Sequence, residues 1–385
     1  MRTVRLPAAR DFTSRLRSPA VAARVGVWLG VCFGVCFVTG LISHYAQAGS
    51  QPVPFPTSPA WGYRVTQGLH VLSGIAAVPL LLVKLWSVYP ALFRPLPRRV
   101  RSLALDVAEK GSIALLVSSA IFMLATGLAN SGQWYPWAFS FRATHYAVAW
   151  VAIGSLVVHI AVKLPVIRQA LGADVESSDL DRPEATDQGA LSRRGVVRTA
   201  LLGSAVAVLA TAGGSAPWLR RLSVLAVTTG DGPGGVPINR THAEAGIDVA
   251  RTGEAFRLTV AHAGRETTFT REDLESLPQH TEVLPIACVE GWSATGTWTG
   301  VRLRELLDLT GAPAGRDVRI RSLQTQYAFG TSLLWANFAD DDRTLLALGL
   351  DGEPLSLDHG FPCRIIAPNR PGVRQTKWVE RLEVL

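Results

Sequence analysis

The residues able to do chemistry fall into two sets, a cysteine in the C-terminal half and histidines in the N-terminal half. Cys288 lies in the run Pro285-Ile-Ala-Cys-Val-Glu-Gly-Trp-Ser293, and Cys363 is the only other cysteine downstream of the apolar half. Exported domains pair their cysteines or do without them. A thiol kept in a turn framed by Gly291 and Trp292 reads either as a small buried hydrophobe or as a metal ligand or nucleophile, because a thiolate is a soft, strong donor. His70, His145 and His159 lie in long apolar runs, where ionisable residues are costly and mark function. Two imidazoles at equal depth on facing helices sandwich a haem iron, which makes His70 and His145 the natural pair. His159 follows His145 by 14 residues, about four turns, so both share one helix face roughly 21 Å apart. Interfacial placement, or a hydrogen bond to another helix, is the plain alternative for each histidine.

The elements that must position these groups follow from hydropathy. Mean hydropathy is +0.23, yet 18% of the 385 residues are charged, too many for a chain wholly in a membrane. The two traits separate along the sequence, as expected for two domains. Five runs approach the roughly 20 residues that cross a bilayer: Val21–Ile42, Thr66–Tyr89, Ser112–Ala129, Thr144–Leu164 and Val196–Gly213. Arg2, Arg5, Arg10, Arg15, Arg17 and Arg24 precede the first; Arg94, Arg98, Arg99, Arg101 and Lys110 fill the second loop; Arg168, Arg193, Arg194 and Arg198 precede the fifth. The intervening loops carry one basic residue each, Arg64 and Arg142. The positive-inside rule then sets the N-terminus in the cytoplasm and everything after Gly213 outside, in a multi-pass protein of the cell (inner) membrane. The same rule accounts for most of the +8 net charge; without a basic stripe interleaved with aromatics, nucleic acid is excluded as a partner.

The expected domains are a cytoplasmic N-terminus (1–20), a four-helix membrane domain (21–172), an acidic cytoplasmic linker (173–195), a fifth membrane helix (196–213) and an exported domain (230–385). The linker holds Asp174, Glu176, Asp179, Asp181, Glu184 and Asp187 and reads as flexible. Ser192-Arg-Arg-Gly-Val-Val-Arg198 reads as a twin-arginine export signal or as ordinary positive-inside charge. Downstream, strand-like runs at Phe256–Val260, Val318–Arg321 and Cys363–Ile366, with one amphipathic helix at Arg302–Leu309, predict an α+β domain. A Gly-rich phosphate loop, an HExxH motif and paired CxxC motifs are missing, which argues against dinucleotide and zinc sites.

The four-helix block resembles the di-haem cytochrome b subunits that anchor periplasmic dehydrogenases and hydrogenases. The resemblance implies that His70 and His145 hold an outer haem b and that His159 is half of an inner one. The first span reads Arg24-Val-Gly-Val-Trp28 at its inner end and lacks the inner partner histidine. Lys84 stands 14 residues after His70 instead, so one haem is expected and an inner site lost or altered. His44 is a spare candidate, and Arg64 and Arg142 are candidates to neutralise haem propionates.

Five blocks occur in order: Cys288-Val-Glu-Gly-Trp292; Trp298-Thr-Gly-Val301; Asp351-Gly-Glu-Pro-Leu355; His359-Gly-Phe-Pro-Cys-Arg364; and Thr376-Lys-Trp378. Together they resemble the molybdopterin-binding domain of the sulfite oxidase superfamily, including its periplasmic methionine-sulfoxide reductase branch, over roughly residues 237–385. The resemblance implies Cys288 as the thiolate ligand to molybdenum and catalytic residue. It implies His359, Arg364, Gln375, Thr376 and Lys377 as holders of the pterin and its phosphate, and Asn239, Arg240 and Ser322 as further cofactor contacts. A soft metal already bound by dithiolene sulfurs takes another soft donor, and a buried phosphate needs guanidinium and ammonium donors. Glu290 stands where sulfite-oxidising members carry positive charge, which points away from sulfite. Cys363 is expected in the core.

The resulting expectation is a membrane-anchored oxidoreductase performing oxo transfer on a small molecule or protein side chain outside the membrane, with electrons exchanged through haem and quinone. A membrane cytochrome with a metal-free binding or sensing domain is the alternative. A cysteine hydrolase would need a His–Asp relay at Cys288, for which His262, His280 and His359 compete.

Overall fold

The computed structural model describes residues 8–93, 100–226, 232, 235–326 and 330–385. Arg2, Arg5, Arg94, Arg98 and Arg99 lie outside the described residues, as does Gly230 at the expected start of the exported domain.

Two compact units form, one comprising residues 1–40, 69–212 and 222–225, the other 41–68, 213–221 and 226–385. This division departs from the expected 21–172 and 230–385 boundaries: the first interhelical loop, Gln47–Trp61, with the helix ends that flank it, belongs to the β-rich unit.

The helices are α1 (Pro19–Ala46), α2 (Gly62–Val88), α3 (Val100–Ser131), α4 (Phe141–Gly172) and α5 (Arg193–Thr211). Helices α1, α3 and α4 outrun their apolar runs at both ends, as with Arg142 and Arg168 of α4, while α2 and α5 extend theirs at the N-terminal end alone. All five are long and apolar enough to cross a membrane. At most 28% of any span is buried inside the protein, so most apolar surface faces outward, the reverse of a soluble bundle. Helix α5 packs on α1 and α2 through Val21, Val25, Leu80 and Ala200, and Ser204 Oγ donates to Ala76 O at 2.9 Å.

The acidic 173–195 segment is held by specific contacts, contrary to the flexible linker expected from composition. Asp181 pairs with both Arg15 and Arg193, Asp187 N donates to Thr13 O at 3.0 Å, and Glu176 accepts from the backbone N–H groups of Arg193 and Arg194. Its carboxylates find cations and a helix N-terminus that composition alone cannot place. Arg193 is itself buried at 2% exposure and donates to Arg15 O and Ser177 O, so the twin arginines divide into a structural residue and an exposed one.

The second unit contains two five-stranded sheets. The first runs β2 (Arg265–Phe269), β1 (Leu258–His262), β10 (Val379–Val384), β5 (Val318–Ser322), β6 (Thr331–Leu334), with β1 and β10 parallel and the remaining pairs antiparallel. In β5, Val318, Ile320 and Ser322 are buried while Arg319 and Arg321 are exposed, the period of two that places one face on a core. The second sheet runs β3 (His280–Ala287), β4 (Ser293–Arg302), β7 (Leu345–Leu350), with β8 (Glu353–Pro354) and β9 (Arg364–Ile366) both paired to β7. Strand β9 is buried at all three positions, as for a strand covered on both faces. Gly300 is required where β4 meets β7, because a Cβ there would stand 2.2 Å from Leu346 O.

Three short helices complete the unit: α6 (Arg271–Ser276), α7 (Leu303–Leu309) and α8 (Ala336–Ala339). The expected helix at Arg302–Leu309 starts one residue later, since Arg302 ends β4, and it buries Leu303, Leu306 and Leu307 at helical spacing. The first core joins these leucines to Leu258, Ile320, Phe338, Cys363 and Trp378, so Cys363 is a core residue as expected. A second core gathers Leu284, Ile286, Cys288, Trp292, Trp298 and Ile366.

Candidate active site

Strands β3 and β4 pair from His280↔Gly300 to Ala287↔Ser293, which leaves residues 288–292 as the connecting turn. Cys288 N donates to Trp292 O and Gly291 N to Cys288 O, both at 3.0 Å; Gly291 adopts φ 92°, a conformation open to glycine at little cost. Ser215 Oγ ties down Gly291 O at 2.5 Å. The thiol is buried at 1% exposure, and its neighbour is Glu290, with Oε2 3.6 Å from Sγ. That carboxylate oxygen also accepts from Trp292 Nε1 at 3.0 Å. Burial, and then the Glu290 charge, push the thiol well above the usual range. A bound cation reverses that balance, because a coordinating thiol deprotonates. The 367–375 loop passes close by: a Cβ on Gly372 would lie 2.8 Å from Ala287 O and 3.5 Å from Cys288 Cα.

Arg364 and Arg370, both buried, and the half-buried Lys377 are three cations in the same unit. Arg364 is 3% and Arg370 5% exposed. Arg364 donates to His359 O at 2.9 Å and to Gln375 O at 3.3 Å, and its guanidinium lies 5.0 Å from the Trp298 ring. Arg370 donates to Leu333 O at 2.8 Å. Lys377 Nζ donates to Arg240 O at 2.5 Å and Asp358 O at 2.9 Å. Among the described residues no carboxylate forms an ion pair with any of the three, and Arg364 Nε and Arg370 Nη1 are buried without a hydrogen-bond partner. Burial lowers Arg364 and Arg370 to about 9 each. Burial, then the charge of Arg364, lowers Lys377 to about 7, with Cys288 among the groups acting on it. Buried charges are normally paired; Arg364 and Lys377 lie near enough to act on each other, and each of the three cations has capacity left for an anion.

His359 closes one side of this region. Its Nε2 donates to Val236 O at 2.9 Å and its Nδ1 accepts from Ser356 Oγ at 3.0 Å. Burial depresses its pKa, which keeps the ring neutral and fixes the segment leading into Asn239 and Arg240. His242 and Asp358 pair at 2.7 Å.

In the helical unit the rings of His70 and His145 lie edge-to-face, with centroids 6.3 Å apart and planes at 66°. With metal–imidazole bonds of about 2 Å, a separation of this order would suit a metal held by both rings. Both Nδ1 atoms are engaged, that of His70 with Cys36 O at 2.9 Å and that of His145 with Thr126 Oγ1 at 3.1 Å. A ring whose Nδ1 is so engaged keeps Nε2 for a ligand. Gly40 and Gly127 stand beside the two rings, where added Cβ atoms would come within 3.2 Å of His70 Cε1 and 3.8 Å of His145 Cε1. Lys84 Nζ donates to Ala22 O at 2.8 Å and lies against Gly26, so it is held by α1 rather than free to replace an inner ligand of His159.

Residues 245–385 match the family model described as the oxidoreductase molybdopterin binding domain. This part of the chain belongs to that family. A protein of Azospira oryzae named "Putative protein-methionine-sulfoxide reductase subunit YedZ1" is 34% identical over 142 residues, 36% of this chain and 53% of the relative. Mitochondrial sulfite oxidase of Drosophila melanogaster is 29% identical over 34% of this chain and 27% of its own length. The solved sulfane dehydrogenase SoxCD of Paracoccus pantotrophus aligns with 25% identity and a TM-score of 0.31 over 34% of this chain and 38% of that one. The chain thus spans about half or less of the curated relatives it matches.

The molybdopterin-binding domain brings the predicted Cys288, His359, Arg364 and Lys377 into one unit, but four predicted contacts hold the protein itself. The amide of Gln375 bridges Ala367 N, Ala367 O and Arg370 O. Thr376 Oγ1 pairs with Ser332 Oγ at 2.7 Å, Ser322 Oγ donates to Lys377 O at 2.7 Å, and the His359 ring is engaged on both nitrogens. Their polar atoms already have protein partners, so they shape the loops that carry Arg370 and Lys377. Asn239 and Arg240 are half-buried, and Arg240 enters through its carbonyl. His280 pairs with Glu305 at 2.9 Å, and the Cys288 thiol faces Glu290, so a hydrolase relay is not formed. Among the described residues no cluster of three or more His, Cys, Asp or Glu could hold a metal ion; a single thiolate or a histidine pair is the available protein donor set.

Sequence reasoning missed Arg370 and the loop that holds its neighbour. Asn369, at φ 56°, accepts from Tyr63 N at 2.5 Å, donates to Pro56 O at 2.7 Å, and its N–H reaches Ala60 O at 3.1 Å. Arg64 donates to Ser293 Oγ, Ala294 O and Thr295 Oγ1, each at 2.6 Å. Arg64 is thus tied through Nε and Nη2 to the start of β4. Gln67 Nε2 donates to Val289 O at 3.3 Å. The only available signal was Asn369-Arg370 between Pro368 and Pro371, a polar pair in a rigid turn.

Proposed function

We propose that this chain is a membrane-anchored molybdenum-cofactor oxidoreductase whose outward-facing domain performs oxo transfer, with electrons exchanged through b-type haem and membrane quinone. The observation that carries the reading is a set of three cations, two buried and one half-buried, without a carboxylate partner among the described residues, in the same unit as a buried, turn-held thiol. These residues fit an anionic, phosphate-bearing cofactor with a soft metal: Arg364 Nε and Arg370 Nη1 are open donors, and Lys377 supplies an ammonium. When bound, the molybdenum centre supplies the oxygen-atom transfer chemistry and the haem supplies one-electron steps.

The protein's own part is positional. Cys288 gives one thiolate donor, kept in place by its turn and by Ser215. Burial excludes water from that thiolate, while Glu290 holds the Trp292 indole across the mouth of the turn. Arg364, Arg370 and Lys377 would hold the phosphate, and Gln375, Thr376, Ser322 and His359 fix the loops that carry them. Glu290 places negative charge near the metal position, which opposes an oxyanion such as sulfite and favours an uncharged oxygen donor on a small molecule or protein side chain. His70 and His145 would hold one haem, and Lys84, already bonded to α1, would give His159 no partner.

Molybdenum, pterin and haem quantification on the purified chain tests the reading. One molybdenum, one pterin and one haem per chain are expected. A chain with neither molybdenum nor pterin is a membrane cytochrome with a metal-free outer module, and two haems would refute the lost inner site.

A further inference from the structure

The helical unit holds an open cavity of about 300 Å³ lined by Arg24, Ala173, Asp174, Val175, Arg194, Val197 and Arg198. It draws on α1, the chain after α4, and the first turns of α5. Arg24 donates to Ala170 O at 2.9 Å and Ala173 O at 2.7 Å, which caps the end of α4 and brings its charge to the cavity. Arg194 makes a long ion pair with Asp174 at 3.5 Å. Glu176, the other acid at this end, is taken by the backbone N–H groups that open α5. Arg24 and Arg198 have no carboxylate partner among the described residues. Arg198 also lies five residues inside α5, about 7 Å along the axis, where an unpaired cation next to hydrocarbon is costly.

A second observation runs down the same helix. Leu202, Val206 and Leu209 follow Arg198 on one face of α5 and are 65%, 57% and 48% exposed. A cationic hollow with apolar walls at Val175 and Val197 therefore opens onto an apolar stripe. We propose that this cavity binds the headgroup phosphate of an anionic phospholipid, whose acyl chain lies along Leu202, Val206 and Leu209. Basic pockets at membrane helix ends recognise such headgroups by charge. The apolar stripe distinguishes a lipid from free phosphate, which has nothing to lay upon it. The inference needs only a chain seated in a membrane and stands whether or not the molybdenum and haem assignments hold.

The test uses the full chain in detergent, titrated with phosphatidylglycerol, phosphatidylcholine, glycerol 3-phosphate or inorganic phosphate. Readouts are lipid retention in native mass spectrometry and the unfolding midpoint. Phosphatidylglycerol is expected to be retained and to raise the midpoint. Arg198→Gln should weaken that binding about fivefold, the effect of one arginine near an anionic surface, and Arg198→Lys should restore most of it. Equal retention of phosphatidylcholine, or an unchanged affinity in Arg198→Gln, overturns the proposal. Inorganic phosphate acting as well as the lipid assigns the site to free phosphate and overturns it too. If Arg198→Gln does not fold, the wild-type ligand comparison and the lysine variant decide.

Discussion

Replacing Lys377 by methionine should remove a defined pH dependence from the cofactor-free protein. The amine falls from 10.5 to about 7 in the folded chain, through burial first and the Arg364 charge second. The unfolded chain therefore binds more protons than the folded one between about pH 7 and 10.5. By linkage the stability of the cofactor-free protein rises with pH across that window and is flat below it. With one pKa unit equal to about 1.4 kcal/mol, the lysine costs about 4 kcal/mol at pH 7 and about 2 at pH 9, a gain of about 2 kcal/mol. Arg364 and Arg370, held at about 9, act mainly above this interval and cancel in the comparison. Chemical unfolding of full-length protein from a cofactor-deficient host, followed by tryptophan fluorescence at pH 7 and 9, measures the slope. The wild type should gain about 2 kcal/mol more than Lys377→Met over that interval. The slope difference is insensitive to the two hydrogen bonds the variant also loses. With cofactor bound, the phosphate keeps the ammonium charged and the slope should shrink. Equal slopes for the two cofactor-free proteins would refute the picture of an uncompensated buried cation.

Other substitutions separate the sites. His145→Leu should abolish the haem absorbance and leave molybdenum content unchanged; haem retained at full occupancy contradicts the His70–His145 pair. Asn369→Ala removes two side-chain hydrogen bonds to the 56–63 segment, keeps the backbone bond to Ala60 O and places alanine at positive φ, so a loss of about 2–4 kcal/mol is expected, with reduced molybdenum retention as the loop carrying Arg370 loosens. Gly300→Val drives a Cβ into Leu346 O, and a loss above about 4 kcal/mol, read by limited proteolysis, is expected. An unchanged digestion pattern would show that β4 and β7 do not approach as described.

The helices were legible because hydropathy is local: five apolar runs became five helices, all extended at the N-terminal end and three of them at the C-terminal end as well. Strands were found approximately, with β1 two residues later than the Phe256–Val260 run, because alternation marks a strand but not its ends. Cys288, Arg364 and Lys377 were singled out by the ordered blocks around them, and the fold places them in one unit; their roles toward a cofactor are the proposal. The roles of Gln375, Thr376 and Ser322 were not, since a polar side chain can face a ligand or a backbone and only the folded loop decides. Arg370 and the 47–65 loop were missed for a related reason. Their significance comes from contacts more than 300 residues apart in sequence, such as Asn369 with Tyr63. The acidic 173–195 segment shows the same limit, since its partners Arg15 and Thr13 lie far upstream.

The central claim is that Cys288 and the buried cations hold a molybdenum cofactor. Metal and pterin quantification on purified wild type and Cys288→Ser, with the haem spectrum recorded on the same samples, tests it most directly. The account predicts one molybdenum and one pterin per wild-type chain, molybdenum lost or its spectroscopic signature changed in Cys288→Ser, and an identical haem spectrum in both. Wild-type protein without molybdenum and pterin, or a Cys288→Ser protein with unaltered molybdenum spectra and turnover, would contradict it.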